Sequence, residues 1–407
     1  MRRLLLPEDA VVQSTRGANL RPDRAKQGTW QKLRPGWYLR ASSVPQGLET
    51  WEVARLVTIA RARAAWRASD GAIQVTNQSA MVAQGLDTWL AAPDTEFKKL
   101  GTPRPPLKLP AVEVGGVVVP AVWERQVTGP PRGETEGQSQ GAVRYGLPPA
   151  AQLAVDMART AHPIAAVGAV STLLDKLIAP RAASSSWATS GEAGVDRWED
   201  EWGAHLPHRG AHFPDRGAHF PHRGAHDGVN SPSVEEQRWA QGALLELLES
   251  VGSSRFRSWA RSVILAARAG TESVGEGFLL WLLACALPEK TARNVVTQQP
   301  VRCGHRMRRI DAALPELRVG FEFDGGGKLV ADPNAARAFL QRHRELEQAG
   351  WQLVRLSSGL MLKPAAALSQ LREDCQERGV PLRRRPGPLW VPVPWECLAR
   401  TSSRRAS

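Results

Sequence analysis

Residues 316–324 read ELRVGFEFD, and three glycines follow almost at once. Period-two alternation makes this a β-strand, with Val319, Phe321 and Phe323 facing one way and Gly320, Glu322 and Asp324 the other. Two carboxylates thus share one face of an apolar strand just before a tight bend. A solvated strand beside an Asp-Gly turn would look the same, so the neighbouring elements have to decide. Two earlier runs, NVVTQQPVR (294–302) and RMRRIDAAL (306–314), also read as strands, joined by short turns at CGH and at Pro315. Ahead of them, TESVGEGFLLWLLACALP (271–288) reads as a helix capped by Thr271, with Glu272 and Glu276 four residues apart on one face. Behind them, PNAARAFLQRHRELEQAG (333–350) reads as a helix ended by Gly350, and WQLVRL (351–356) as a strand. The order is helix, three strands, helix, strand.

If the second and third strands pair as a hairpin, Asp311 and Glu322 converge near one end of the sheet. Clustered carboxylates repel one another, and a hard divalent cation relieves that repulsion. Glu276, Asp311, Glu322 and Asp324 are therefore the candidate metal residues, with Mg²⁺ as the expected ion and Mn²⁺ as its substitute. The glycines let a bulky substrate approach the backbone. Lys328 can then reach the same pocket, to stabilise charge on phosphate or to accept a proton from water. Metal plus lysine against a phosphodiester is the logic of hydrolytic DNA cleavage. The candidate catalytic set is Asp311, Glu322, Asp324 and Lys328.

The rest of the chain divides by composition. Residues 1–42 are small and basic. Arg21, Arg24 and Lys26 precede a GTW turn, and QKLRPGWYL alternates and bends at Pro35-Gly36. Helix, turn and strand hairpin in that order suit a winged helix-turn-helix, with Arg21, Arg24, Lys26 and the wing residue Arg34 touching phosphate. Residues 43–180 mix helical and strand patterns, with helices at 50–68, within 75–86 (capped by Thr76 or Asn77 and closed by Gly85), at 146–161 and at 163–178, and packed helices are the default reading. Residues 181–232 hold a seven-residue repeat, GAHLPHR, GAHFPDR, GAHFPHR and GAHDG, with six of the nine histidines. Its few apolar residues predict a flexible linker. Clustered imidazoles can bind zinc or nickel, but tandem duplication in a tolerant loop is the favoured explanation. Residues 233–370 open on a capping box, Ser233 and Glu236, and form the second patterned domain. Residues 371–407 are a basic, Pro-rich tail, in which Trp390 and Trp395 suit the covering of an apolar patch or a partner surface.

A net charge of +13 points to a polyanionic partner, most simply nucleic acid. The four scattered cysteines, without a CxxC pair, suggest reduced thiols in a cytoplasmic protein. The apolar start is short for a signal sequence and no later run is long enough to span a bilayer, so no membrane partner is expected.

Two resemblances sharpen these readings. LRPGWYL, VTNQSAMVAQGL and LPPAAQLAVDMART resemble the N-terminal half of an actinobacterial family with an abortive-infection (AbiEi-type) antitoxin-like winged helix, often described as type IV toxin–antitoxin components. In that family the second motif carries Ser-His where this chain has Thr76-Asn77. The resemblance implies a DNA-binding role and a toxin partner. Asp311 … Glu322-x-Asp324-Gly, with Gly-Trp before the last strand, is similar to the PD-(D/E)XK nuclease superfamily and its very-short-patch-repair-like branch over residues 271–361. This implies a C-terminal α/β restriction-endonuclease-like domain (αβββαβ) within an α+β multidomain chain, metal-site roles for Glu276, Asp311, Glu322 and Asp324, and Lys328 as the basic partner. Asp324 stands where the superfamily has lysine, and the second helix reads AFLQRHREL, where Arg342 and Arg344 are the candidate phosphate contacts. The expected function is a Mg²⁺-dependent DNA endonuclease. The alternative is a catalytically inactive DNA-binding regulator of antitoxin type.

Overall fold

Arginines as well as apolar side chains fill the inner side of the first long helix. In the computed structural model, which describes residues 6–14, 29–127, 146–182, 232–251, 254, 256–324 and 333–391, helix α1 spans Thr50–Ala68. Glu49 and Glu52 cap it reciprocally, the Glu49 backbone N–H donating to the Glu52 carboxylate at 2.8 Å. Every residue from Val53 to Trp66 is buried, so its guanidinium groups must find acceptors inside. Arg55 pairs with Asp87 at 2.9 Å. Arg63 and Arg67 donate to the carbonyls of Pro7 and Val11 at 2.8 and 3.0 Å. Arg61 donates to the carbonyls of Pro110 and Pro120 at 2.7 and 2.9 Å. Burial pushes the Arg61 guanidinium down to about 10, against the opposing pull of Asp94. A share of the chain's positive charge is thus spent on holding strands to α1 and is not displayed to a partner.

Those strands are short. Val11–Gln13 (β1), Trp30–Arg34 (β2) and Trp37–Arg40 (β3) form an antiparallel sheet in the order β1-β3-β2. The β2–β3 turn bends at Pro35-Gly36, and Gly36 adopts φ +76. Next come Gln74–Thr76 (β4), helix α2 at Asn77–Ala83, Thr95–Lys98 (β5), Leu107–Leu109 (β6), Val112–Val114 (β7), Val117–Val119 (β8) and Val122–Gln126 (β9). They make a four-stranded sheet, β4-β5-β9-β6, and a separate β7–β8 pair. Packed helices were expected through this stretch. Runs of three to five residues cut by Pro103, Pro105, Pro106, Pro110 and Pro120 are too short for their period to register in the sequence. Within 75–86 the expected short helix forms as α2, with Thr76 at its N-cap, though without a side-chain capping bond, and Gly85 at φ +75 beyond its end.

The described residues divide into two units, one ending at Leu153 and the other beginning at Ala154. Helix α3 (Ala150–Thr160) straddles the division, and α4 (Pro163–Ala182) belongs to the second unit. What reads along the sequence as one block, 43–180, is therefore shared between the two in space. The second unit continues with α5 (Val234–Ser250), α6 (Arg257–Ala266), α7 (Val274–Ala286), α8 (Glu289–Arg293), β10 (Val296–Cys303), β11 (Arg306–Leu314), β12 (Val319–Asp324), α9 (Pro333–Gln348), β13 (Gln352–Ser357) and α10 (Pro364–Glu377). The α5 capping box forms as expected: Ser233 Oγ accepts from Glu236 N at 3.1 Å and the Glu236 carboxylate accepts from Ser233 N at 2.8 Å.

Helix α7 is apolar on all sides and becomes the buried centre of this unit. Two glycines let neighbours close on it. A Cβ at Gly277 would lie 2.6 Å from the Gly168 Cα of α4, and one at Gly275 would lie 2.2 Å from the Phe323 ring. The sheet runs β10-β11-β12-β13, with β10, β11 and β12 antiparallel and β13 parallel to β12. As an edge strand, β10 tolerates Pro300. Phe323 meets Phe278 of α7 edge-on at 6.2 Å, and Leu346 of α9 packs with Val301, Ile310, Ala313 and Leu353. The parallel β12–β13 pair needs a crossover, and α9 lies in that connection.

Residues after α10 return to the C-terminus of α7. Arg383 N, Arg383 Nε and Gly387 N donate to the carbonyls of Ala286, Leu287 and Cys285, which the helix end would otherwise leave without partners. Trp390 stacks on Trp281 with centroids 5.1 Å apart, and Trp281 Nε1 donates to the Leu389 carbonyl at 3.0 Å. Trp390 therefore covers an apolar surface of its own chain. Trp395 and the histidine repeat lie outside the described residues. Among the described residues, no helix is long and apolar enough to cross a membrane.

Candidate functional site

Strands β11 and β12 pair only over Ala312–Leu314 and Val319–Phe321. Beyond that ladder Asp311 Oδ2 accepts from Phe323 N at 2.9 Å, so a side chain takes a main-chain donor that another rung would have used. The opening between the strands is where the acidic groups gather. Opposite lies Gln298 of β10 at φ +51, and its Nε2 donates to Glu276 Oε2 at 3.1 Å.

Glu276 enters from the first turn of α7. The helix begins two residues later than the sequence suggested, because Ser273, not Thr271, is the N-cap, and its Oγ accepts from Glu276 N at 3.2 Å. Glu272 consequently precedes the helix, and its N–H donates to Glu276 Oε2 at 2.8 Å, while Ser273 Oγ donates to Oε1 at 3.0 Å. Burial raises the Glu276 carboxyl well above the ordinary carboxylate range, and the negative charge of Asp311 adds to the rise.

Glu322 is 1% exposed and lies between two arginines. Arg342 Nη2 of α9 donates to its Oε1 at 2.6 Å, and also to the Arg309 carbonyl at 2.7 Å. Arg355 Nη2 of β13 stands 2.7 Å from Oε2 but off the line of a hydrogen bond, so that contact is Coulombic. The parallel register makes Arg355 the direct neighbour of Glu322. Its guanidinium carbon lies 4.1 Å over the Phe339 ring, and its Nη1 is 3.5 Å from Asp324 Oδ2. Burial pushes the Glu322 carboxyl up to about 7. Asp311 and Asp324 push with burial, and Arg342 and Arg355 pull against it.

All four expected acids thus belong to one electrostatic neighbourhood, with Asp311 acting on both Glu276 and Glu322. Their oxygens are turned to other donors. Those of Glu322 meet guanidinium groups, those of Glu276 take three hydrogen bonds, and Asp311 holds a main-chain amide. Among the described residues, no group of three or more His, Cys, Asp or Glu side chains is placed to hold a metal ion. In this arrangement the donor set does not fit Mg²⁺, which asks for near-octahedral oxygen ligands.

The other expected contacts are placed as follows. Arg34 pairs with Glu124 at 2.9 Å and donates to the Ala64 carbonyl at 3.3 Å, so it is an internal strut. Arg342 is committed to Glu322, and Arg344 is exposed on α9. Arg21, Arg24, Lys26 and Lys328 lie outside the described residues. Arg355, Gln298 and Ser273 were not singled out from the sequence. WQLVRL shows an arginine on a strand but not which strand it will neighbour. No known protein family, no curated protein and no solved structure matches this chain.

Proposed function

We propose that this chain is a DNA-binding regulator of antitoxin type whose C-terminal unit is built on a PD-(D/E)XK nuclease-like fold. The order α7-α8-β10-β11-β12-α9-β13, with the last strand parallel to β12, supports the αβββαβ order that the resemblance implies, the five-residue α8 being an addition to it. The observation that carries the non-catalytic reading is the clamp of Arg342 and Arg355 on Glu322. Two guanidinium groups neutralise the acid that a divalent cation would otherwise serve, and Asp324 occupies the position of the usual lysine. The N-terminal β2–β3 hairpin, bent at Pro35-Gly36, supports the antitoxin-like half of the reading, in which a toxin is the protein partner.

A second reading is Mg²⁺- or Mn²⁺-dependent hydrolysis of DNA. It is favoured by the coupling of Asp311 to two buried glutamates. It requires Arg342 and Arg355 to leave Glu322. Supercoiled plasmid incubated with the full chain and either ion separates the two. The regulator reading expects retarded DNA and no nicking. Metal-dependent nicking that disappears in Asp311→Ala and Glu322→Ala would overturn it in favour of the endonuclease.

A further inference from the structure

Strand β11 starts well clear of the acidic cluster. The β10–β11 ladder extends from Val296↔Ala313 out to Cys303↔Arg306, whereas β12 accompanies β11 only at Ala312–Leu314. The outer part of the hairpin is a two-stranded ribbon that β12 does not flank. It turns through Gly304-His305, with only Gly304 at positive φ (+62), the pattern that favours a type II′ turn. Arg302, His305, Arg306 and Met307 at the tip are all exposed. Register places Arg302 opposite Met307 and Arg306 opposite Cys303, so the two arginines project from opposite faces of the ribbon.

Charge is distributed unevenly along this ribbon. At its root Arg308 pairs with Glu345 at 2.6 Å and Arg309 with Glu272 at 3.2 Å. At its tip Arg306, 68% exposed, reaches Glu345 only at 3.5 Å. Residues 290–310 contain no acidic side chain. The tip therefore presents guanidinium groups whose planar forks suit phosphate oxygens, on an element of the size that a DNA major groove admits.

We propose that the tip of the β10–β11 hairpin lies against the phosphates of duplex DNA, with Arg302 and Arg306 making the contacts. This rests on the DNA-binding reading above and names the surface that performs it. The major groove of an RNA duplex is too narrow for such a ribbon, which makes DNA the occupant. From Arg306 to Asp311 is five strand residues, about 17 Å at a rise of ~3.4 Å. That equals about five base-pair steps of B-DNA, so phosphates held by the tip stand about half a helical turn from the acidic end.

The test is fluorescence anisotropy of the full chain on a labelled DNA duplex, with salt varied from low to physiological. Arg302→Ala/Arg306→Ala is compared with Arg238→Ala/Arg261→Ala, which removes the same charge from exposed positions of α5 and α6. The hairpin variant is expected to lower the slope of log affinity against log salt by about 2, at ~0.9 per phosphate contact. Arg302→Lys/Arg306→Lys, which keeps the charge, retains the slope. An unchanged slope in the alanine hairpin variant, an equal loss in the α5/α6 control, or equal affinity for duplex RNA would each overturn the proposal while leaving DNA binding intact. Failure of the wild-type chain to bind DNA would instead overturn the DNA-binding reading itself.

Discussion

Replacing Glu322 by glutamine removes one titration from the interior of the second unit, and its size follows from the site. The carboxyl rises from its ordinary 4.5 to about 7 on folding. The folded chain therefore binds more protons than the unfolded chain between those values. Stability falls as pH rises through that window, because ionised Glu322 is less comfortable buried than in water. The full effect is present above pH 7 and absent below pH 4.5. It amounts to a factor of about 300 in proton affinity, or ~3 kcal/mol at 1.36 kcal/mol per pH unit. Urea unfolding of wild type and Glu322→Gln, followed by tryptophan fluorescence from pH 4.5 to 8, isolates this contribution. Glu96 and Glu124 are also raised by burial, but they belong to the other unit, titrate in both proteins and cancel in the difference. The wild type is expected to lose about 3 kcal/mol more than the variant across the window. Parallel curves would refute the reasoning, because they would mean that Arg342 and Arg355 outweigh burial and keep Glu322 ionised throughout.

Other expectations are checked by the same unfolding measurement. Gly277→Ala places a methyl 2.6 Å from the Gly168 backbone, which cannot swing aside, and is expected to cost about 1–3 kcal/mol. Gly242→Ala in α5 meets nothing within 4 Å and is expected to stabilise by ~0.5–1 kcal/mol; a loss there would show that helix propensity does not govern the site. Trp390→Ala removes the stack on Trp281 and is expected to cost at least ~0.5–1.5 kcal/mol beyond the lost burial, whereas no change would mean that the segment after α10 does not seal α7.

The convergence of Asp311 with Glu322 was legible because strand side chains alternate and a hairpin brings neighbours together. The same reasoning anticipated Val319, Phe321 and Phe323 as core, and all three are buried. The partners of the acids were not legible. Arg355 meets Glu322 because β13 lies parallel to β12 in one particular register, and packing across the sheet settles that register. Arg342 reaches the same carboxylate from α9, twenty residues along the chain. Arg342 read in sequence as a phosphate contact, and Arg355 drew no reading at all. The arginines of α1 turn inward because main-chain carbonyls distant in the chain receive them.

By itself, the sequence determined what local rules encode: helix α7 from its unbroken apolar run, the Ser233–Glu236 capping box, the αβββαβ order and the face on which the carboxylates stand. These depend on neighbours within a few residues, where backbone geometry dictates the period. Only the tertiary structure decided which charge meets which. It turned a prospective metal cluster into an arginine-held acid, gave α4 to the second unit and laid Trp390 on Trp281. An ion pair is a distance between groups far apart in the chain, and that distance exists only once the elements have packed.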